Sequence, residues 1–153
     1  MGEMACYGSH LKALEWILSS ENEFGIVCED DVKLYLAPRL AQMCLDNVGT
    51  NWDMLYLSEH IMPALTRVDS ERGKNWVALR QAPVGTQFYA ISIRLAEYIL
   101  ENHLIIGMPI DELYRMVSRN RNLGFRFLSL TKKAAWGRHY EKINRSLINP
   151  AAA

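Results

Sequence analysis

Short apolar runs alternate with segments of helical periodicity, and this alternation is the feature that most restricts the fold. Helical spacing covers residues 3–20, 36–45, 94–102 and 109–118, and strand-like apolar runs cover 24–28, 52–57, 76–79, 87–93 and 125–130. The run Phe24–Cys28 predicts a strand that is buried on both faces. Residues 58–75 show no clear periodicity and are predicted to be irregular. The alternation predicts an α/β fold with a largely parallel sheet.

Length and charge narrow the functional classes. The 153 residues suit one domain, and seventeen basic residues balance seventeen acidic ones, so nothing favours a nucleic-acid partner. No apolar run approaches the roughly 18 residues that span a bilayer, and the start lacks a signal-peptide pattern. Cys6, Cys28 and Cys44 have no metal-type spacing. These features predict a cytoplasmic protein in a reducing compartment.

Three carboxylates follow the first predicted strand directly, at Glu29, Asp30 and Asp31. Two such charges about 4 Å apart repel by roughly 1 kcal/mol even in water. In an extended chain Glu29 and Asp31 point to one face and Asp30 to the other. Carboxylates that converge beyond a strand end suit a hard divalent ion such as Mg²⁺ or Mn²⁺. The alternative is an acidic loop that is merely solvated, as most charge runs are.

Four motifs occur in order along residues 2–115. They are Cys6, Ser9 and His10 on a helix; Glu29, Asp30 and Asp31 after a strand; Gly85, Thr86, Tyr89, Ile91 and Ser92 on a strand that runs into a helix; and Pro109 with Asp111. This order resembles glycosyltransferase family 25, which contains bacterial lipopolysaccharide galactosyltransferases and collagen galactosyltransferases. The bacterial branch is the more similar.

The resemblance implies a GT-A-like domain over residues 1–130, with a mostly parallel sheet flanked by helices. It implies a metal-dependent enzyme that transfers a hexose, most often galactose, from a UDP-sugar to a saccharide or lipid-linked saccharide such as lipopolysaccharide. Mn²⁺ or Mg²⁺ would bind Glu29 and Asp31, and Asp111 would be the catalytic base. The implied donor-binding residues are Ser9, His10, Glu29, Asp30, Asp31, Gly85 and Thr86.

The sequence departs from the family pattern at both ends. Family members usually begin with a strand that reads Ile-Asn-Leu-Asp/Glu, well before the Ser-His helix, whereas this sequence starts at that helix. We therefore expect a truncated or reduced family member, or half of an assembly, with an open sheet edge that favours self-association. Residues 131–153 form a basic tail, predicted to be solvated or to touch an anionic membrane surface from the cytoplasmic side.

Several candidate residues have a structural alternative. Cys6 and His10 are four apart on one helix face and could pair at a metal, but no further Cys/His cluster completes a site, so packing is favoured. Gly85 and Thr86 suit either a turn or a loop whose N–H groups face the sugar or acceptor. Asp111 suits either a helix N-cap or a general base.

Two rival functions remain open at this point. The first is a catalytically inactive, truncated member of the same family that binds partners or glycans without turnover. The second is a metal-dependent phosphohydrolase that uses the same acidic strand end. Phosphohydrolases of that kind usually bring more His or Asp residues at other strand ends, and the remaining histidines here are scattered.

Overall fold

The computed structural model describes residues 2–30, 32, 48–49, 51–57, 67–70, 76–103 and 107–130. The elements in chain order are α1 (Gly2–Leu18), β1 (Phe24–Cys28), β2 (Met54–Tyr56), β3 (Arg67–Ser70), β4 (Trp76–Leu79), β5 (Phe88–Ser92), α2 (Ile93–Asn102), α3 (Ile110–Arg119), a 3₁₀ turn (Arg121–Leu123) and β6 (Phe127–Leu130). The predicted helix at 36–45 and the basic tail at 131–153 lie outside the described residues.

The six described strands form one sheet in the order β1-β5-β2-β6-β4-β3. Among them only β2 and β6 pair in parallel, while β5 runs antiparallel to both of its neighbours, β1 and β2. The prediction of a largely parallel sheet is therefore wrong, although the α/β class is correct. An apolar run reports the burial of a strand and not its direction, and β4 reaches β5 through residues 80–87 without a helix.

The strand β1 lies at an edge of the described sheet and is only half-buried. It pairs with β5, and Ile26 at its centre is 41% exposed. The prediction that this strand is buried on both faces is wrong, since Ile26 lies on the face opposite α1 and remains exposed among the described residues. By contrast, Phe88 to Ile91 of β5 are all buried, as expected for a strand between two others.

The segment predicted to be irregular also contains a strand. β3 pairs antiparallel with β4, and its register shifts between Arg67 and Asp69. A bulge of this kind interrupts the alternation of polar and apolar residues that marks a strand in a sequence. The bulge therefore accounts for the lack of strand alternation at residues 67–70, and the rest of the range 58–75 lies outside the described residues.

Two hydrophobic clusters cover the two faces of the sheet, and β5 contributes to both. Tyr89 and Ile91 face the helices, while Phe88 and Ala90 face the opposite side, following the two-residue repeat of a strand. The helical face also contains Tyr7, Leu11, Leu14, Ile17, Leu95, Ile99, Leu113, Tyr114 and Val117. The opposite face contains Leu55, Leu57, Trp76 and Leu128.

The helix α1 approaches β1 closely at Gly25. A Cβ atom placed on Gly25 would lie 2.3 Å from Cγ1 of Ile17, which is inside van der Waals contact. The side chain of Ile17 is branched at Cβ and 2% exposed, so it has little freedom to move aside. A glycine here therefore allows the helix to rest directly on the strand.

A buried carboxylate, Asp53, organises one end of the sheet just before β2. Its Oδ1 accepts hydrogen bonds from Ser92 Oγ at 3.1 Å and Arg94 Nε at 2.9 Å. Its Oδ2 accepts from Arg94 Nη2 at 2.7 Å and from the Arg126 N–H at 2.8 Å. Ser92 also caps α2 by accepting the N–H of Leu95. Asp53 thus ties together β2, the start of α2 and the segment before β6.

Candidate functional site

The opposite end of the sheet brings together residues from α1 and β1. His10 is 4% exposed and faces the sheet, with Cys6 one helical turn before it. Glu29 follows β1, and its N–H donates to Gln87 O at 2.9 Å, so the strand pairing holds it. Because Gly25, Val27 and Glu29 alternate onto the face that α1 covers, Glu29 Oε1 lies 3.5 Å from His10 Nε2.

A chain of hydrogen bonds fixes these side chains. Thr86 Oγ1 donates to Glu29 Oε1 at 2.6 Å. His10 Nδ1 lies 2.8 Å from Tyr89 Oη, which in turn lies 3.0 Å from Tyr114 Oη. The His10 ring also stacks on the Tyr89 ring, with centroids 5.7 Å apart. The chain therefore runs from the loop before β5 through α1 and β5 to α3.

Burial and negative charge shape the electrostatics of this region. Burial lowers the pKa of His10, and the neighbouring Glu29 offsets this only in part. Burial also raises the pKa of Cys6, with further contributions from Glu29 and Asp111. The pKa values of Tyr89 and Tyr114 are raised, mainly by burial. At neutral pH the imidazole, the thiol and both phenols are consequently uncharged.

A cleft of about 450 Å³ opens beside these residues. It is lined by Cys6, Ser9, His10, Ala13, Val27, Cys28, Glu29 and Asp30. A volume of this size lies within the usual range for small-molecule sites, roughly 300 to 1,000 Å³. The cleft lies at the carboxyl end of β1, where ligands of open α/β sheets commonly bind.

The structure brings most of the predicted donor-binding residues to this place. Ser9, His10, Glu29 and Asp30 line the cleft, and Thr86 is hydrogen-bonded to Glu29. Asp31 lies outside the described residues.

The backbone beyond β1 differs from the expected extended chain. The N–H of Val32 donates to Glu29 O at 3.2 Å, so the backbone turns over residues 29–32. The expectation that Glu29 and Asp31 point to the same face concerns Asp31, which lies outside the described residues, so it stays a prediction.

Asp111 is not the N-cap of its helix, so that alternative is wrong. The helix α3 begins at Ile110 with Pro109 in the cap position, and Asp111 lies within the first turn. Its Oδ1 accepts the N–H of Glu112 at 2.9 Å, and its Oδ2 accepts the N–H of Gly85 at 3.0 Å. Gly85 has φ +95°, a conformation that favours glycine. Asp111 thus fastens the loop before β5 to α3.

Sequence reasoning missed a cluster of three side chains with mixed ligand atoms. The Sγ of Cys6, a ring nitrogen of His10 and a carboxylate oxygen of Glu29 all lie within 4.8 Å of one another. The argument against a Cys6–His10 metal pair considered only a further Cys or His, whereas the third group is a carboxylate from β1. The signal available in the sequence was the strand alternation that turns Glu29 toward the α1 face.

Comparison with known protein families gives a match over most of the sequence. A family model described as glycosyltransferase family 25 (LPS biosynthesis protein) matches residues 1–114, which contain every residue of the cleft. Searches of curated proteins and of solved structures returned no match. Within the described parts of the chain, no helix has the length and apolar character to cross a bilayer. The match covers well over half of the sequence, and the chain belongs to glycosyltransferase family 25.

Proposed function

We propose that this family 25 chain transfers a hexose, galactose in the first instance, from a UDP-sugar to a saccharide acceptor such as lipopolysaccharide. The observation that carries the proposal is the cleft at the carboxyl end of β1, lined by Ser9, His10, Glu29 and Asp30. Its lining combines these polar residues with the apolar side chains of Ala13 and Val27. That combination suits a ligand with a charged diphosphate and a flat, less polar base.

The carboxylates that line this cleft are suitable ligands for a hard divalent ion. Glu29 and the exposed Asp30 both line it, and we propose Glu29 and Asp31 as the protein ligands of Mn²⁺ or Mg²⁺. When bound, such an ion neutralises charge on the departing nucleoside diphosphate. Thr86 holds Glu29 Oε1 by a 2.6 Å hydrogen bond, which keeps the carboxylate oriented at the cleft.

We propose Asp111 as the base that accepts the proton of the acceptor hydroxyl. Two backbone N–H groups hold its carboxylate, one on each oxygen, and each oxygen keeps a second lone pair for the proton. Asp111 is not among the residues that line the cleft, but it holds Gly85, and the next residue, Thr86, is hydrogen-bonded to the cleft residue Glu29. A positioned carboxylate is a usual general base.

The test is a transfer assay with UDP-galactose, Mn²⁺ and a lipopolysaccharide acceptor, read as release of UDP. Asp111→Asn should reduce the rate by about a hundredfold to ten-thousandfold, because the amide cannot accept the proton. It should also destabilise the fold by about 1 to 2 kcal/mol, since its NH₂ group cannot accept the N–H of Gly85.

Glu112→Gln is the matched control. Glu112 is the adjacent carboxylate, 44% exposed, and pairs with Arg115 one helical turn later. The control should retain near-wild-type transfer and change stability by less than about 0.5 kcal/mol. Near-wild-type transfer by Asp111→Asn would remove Asp111 as the base. Failure of the wild-type chain to release UDP from any UDP-hexose would favour the inactive binding module instead.

A further inference from the structure

We propose that Cys6, His10 and Glu29 form a binding site for a borderline transition-metal ion, with Zn²⁺ the best fit. This site differs in ligand chemistry from the Mn²⁺ or Mg²⁺ site proposed for the diphosphate, although Glu29 belongs to both. Cys6 and His10 lie one turn apart on α1, and Glu29 faces them from the end of β1.

The distances suit a tetrahedral ion with little rearrangement. Zinc ligands at about 2.0 to 2.3 Å from the metal lie roughly 3.3 to 3.8 Å from one another in a tetrahedron. His10 Nε2 and Glu29 Oε1 are already 3.5 Å apart, and all three ligand atoms lie within 4.8 Å. The three ligand atoms therefore need to approach one another by at most roughly 1 Å. Rotation of the half-buried Cys6 side chain can bring its Sγ closer by this amount.

Groups that orient metal ligands are already in place behind the site. A metal-bound histidine almost always donates its second ring N–H to a fixed acceptor. His10 Nδ1 lies 2.8 Å from Tyr89 Oη, and protonation at Nδ1 leaves the lone pair of Nε2 facing Glu29. Thr86 Oγ1 holds Glu29 from the other side at 2.6 Å. Two of the three ligands are thus positioned by partners that a metal would not displace.

The local charge also favours a cation at this point. Glu29 and Asp111 add to the effect of burial in raising the pKa of Cys6, so the thiolate is disfavoured without a metal. A divalent ion reverses this because it deprotonates a coordinated thiol outright. Burial lowers the pKa of His10 and keeps the imidazole in the neutral form that binds metals.

The ligand set selects the metal. Thiolate and imidazole ligands suit Zn²⁺ and similar ions, whereas Mg²⁺ requires oxygen ligands in an octahedron. All three side chains line the same cleft, so a fourth coordination position would open toward it. Zinc bound here would withdraw Glu29 from the diphosphate metal, and zinc should therefore oppose nucleotide binding.

The test is a titration of the full chain with Co²⁺ alone, in the absence of nucleotide. Co²⁺ adopts zinc sites and gives a thiolate-to-metal absorption band. Wild-type protein should bind one Co²⁺ with this band, and Zn²⁺ should displace it. Cys6→Ser should abolish the band and weaken Zn²⁺ binding at least about tenfold. Cys28→Ser is the matched control, since Cys28 lines the same cleft outside the cluster, and it should retain both properties.

A second pair of measurements covers the event that Cys6→Ser does not fold. Glu29→Gln, which leaves the thiol intact, should weaken Zn²⁺ binding at least about tenfold. In wild-type protein Zn²⁺ should also slow alkylation of Cys6 more than that of Cys28, as mapped by mass spectrometry. A cobalt–thiolate band that survives Cys6→Ser, or Zn²⁺ affinity unchanged by Glu29→Gln, would overturn the proposal. Neither measurement requires a sugar donor, so their failure is distinguishable from failure of the proposed transfer.

Discussion

Asp53 and Glu29 are carboxylates at opposite ends of the sheet, and the fold treats them differently. Asp53 receives two bonds from the Arg94 guanidinium, one from Ser92 and one N–H bond from Arg126, so a fixed cation balances its charge. Glu29 receives a hydroxyl from Thr86 and faces an uncharged imidazole. The charge of Asp53 is balanced within the fold, whereas the groups that face Glu29 are an uncharged hydroxyl and an uncharged imidazole.

The largest expected effect is the loss of stability on removal of Asp53. Asp53→Ala should lower the free energy of unfolding by about 3 kcal/mol, because the partners on β5, α2 and the segment before β6 lose a shared acceptor. Urea unfolding measures this effect. Glu97 is an exposed carboxylate on α2, the helix that carries Arg94. Glu97→Ala is therefore the control and should change stability by less than about 0.5 kcal/mol. A loss below about 1 kcal/mol for Asp53→Ala would show that Asp53 contributes no more to stability than Glu29 does.

Glu29→Gln should affect binding more than stability. The amide oxygen can still accept from Thr86, so the free energy of unfolding should change by less than about 1 kcal/mol. Binding of UDP in the presence of Mn²⁺ should weaken at least about tenfold, as judged by calorimetry. Glu23→Gln, the same change at an exposed residue just before β1, provides the control. Unchanged UDP affinity in Glu29→Gln would place the diphosphate elsewhere.

Thr86→Val tests how far Glu29 depends on its hydroxyl partner. Valine keeps the shape of this 4%-exposed side chain but removes the 2.6 Å hydrogen bond. We expect a loss of about 1 kcal/mol in stability and a few-fold loss in UDP affinity. Thr86→Ser restores the hydroxyl and should restore the affinity. If Thr86→Val binds UDP as tightly as the wild type, the hydroxyl of Thr86 is not needed to orient Glu29.

The smallest effect concerns pH and the helix α2, which begins beside Asp53 and ends at His103. Near the start of α2, the hydrogen bond to Asp53 raises the already high pKa of Arg94, so this side chain stays charged. After the end of α2, burial lowers the pKa of His103. As the pH falls below about 6.5, the unfolded chain takes up a proton before the folded chain does, and stability is lost. The shift of His10 has the same sign.

His103→Gln should therefore reduce the decline in stability between about pH 7 and pH 5, by less than about 1 kcal/mol. Thermal unfolding across this range measures it, and the wild-type decline should persist in part because His10 remains. An identical pH dependence in the variant and the wild type would mean that His103 is as well solvated in the folded chain as in the unfolded one.

The sequence was most informative where a property belongs to a single element. The spacing of Cys6 and His10 correctly put both on one helix face, and the bounds predicted for the strand Phe24–Cys28 agree with the structure. Neither the direction of β5 nor the edge position of β1 could be predicted, because both depend on which strands become neighbours. Asp53 gave no signal, since a lone aspartate before a strand shows nothing of the arginine that reaches it from α2. Glu29, the third member of the cluster, did give a signal, because strand alternation turns it toward α1, but it lies on a different element from Cys6 and His10.

The contact between Gly25 and Ile17 has a consequence for the cleft that none of its lining atoms reveals. Cys6 and His10 are carried by α1, and Glu29 is carried by β1, so the gap between the two elements sets the separation of the three side chains. That gap is set by the absence of a single methyl group at Gly25, where a Cβ would lie 2.3 Å from Ile17. The close packing at Gly25 therefore fixes the distance between the side chains of α1 and the carboxylate of β1, although Gly25 itself does not line the cleft.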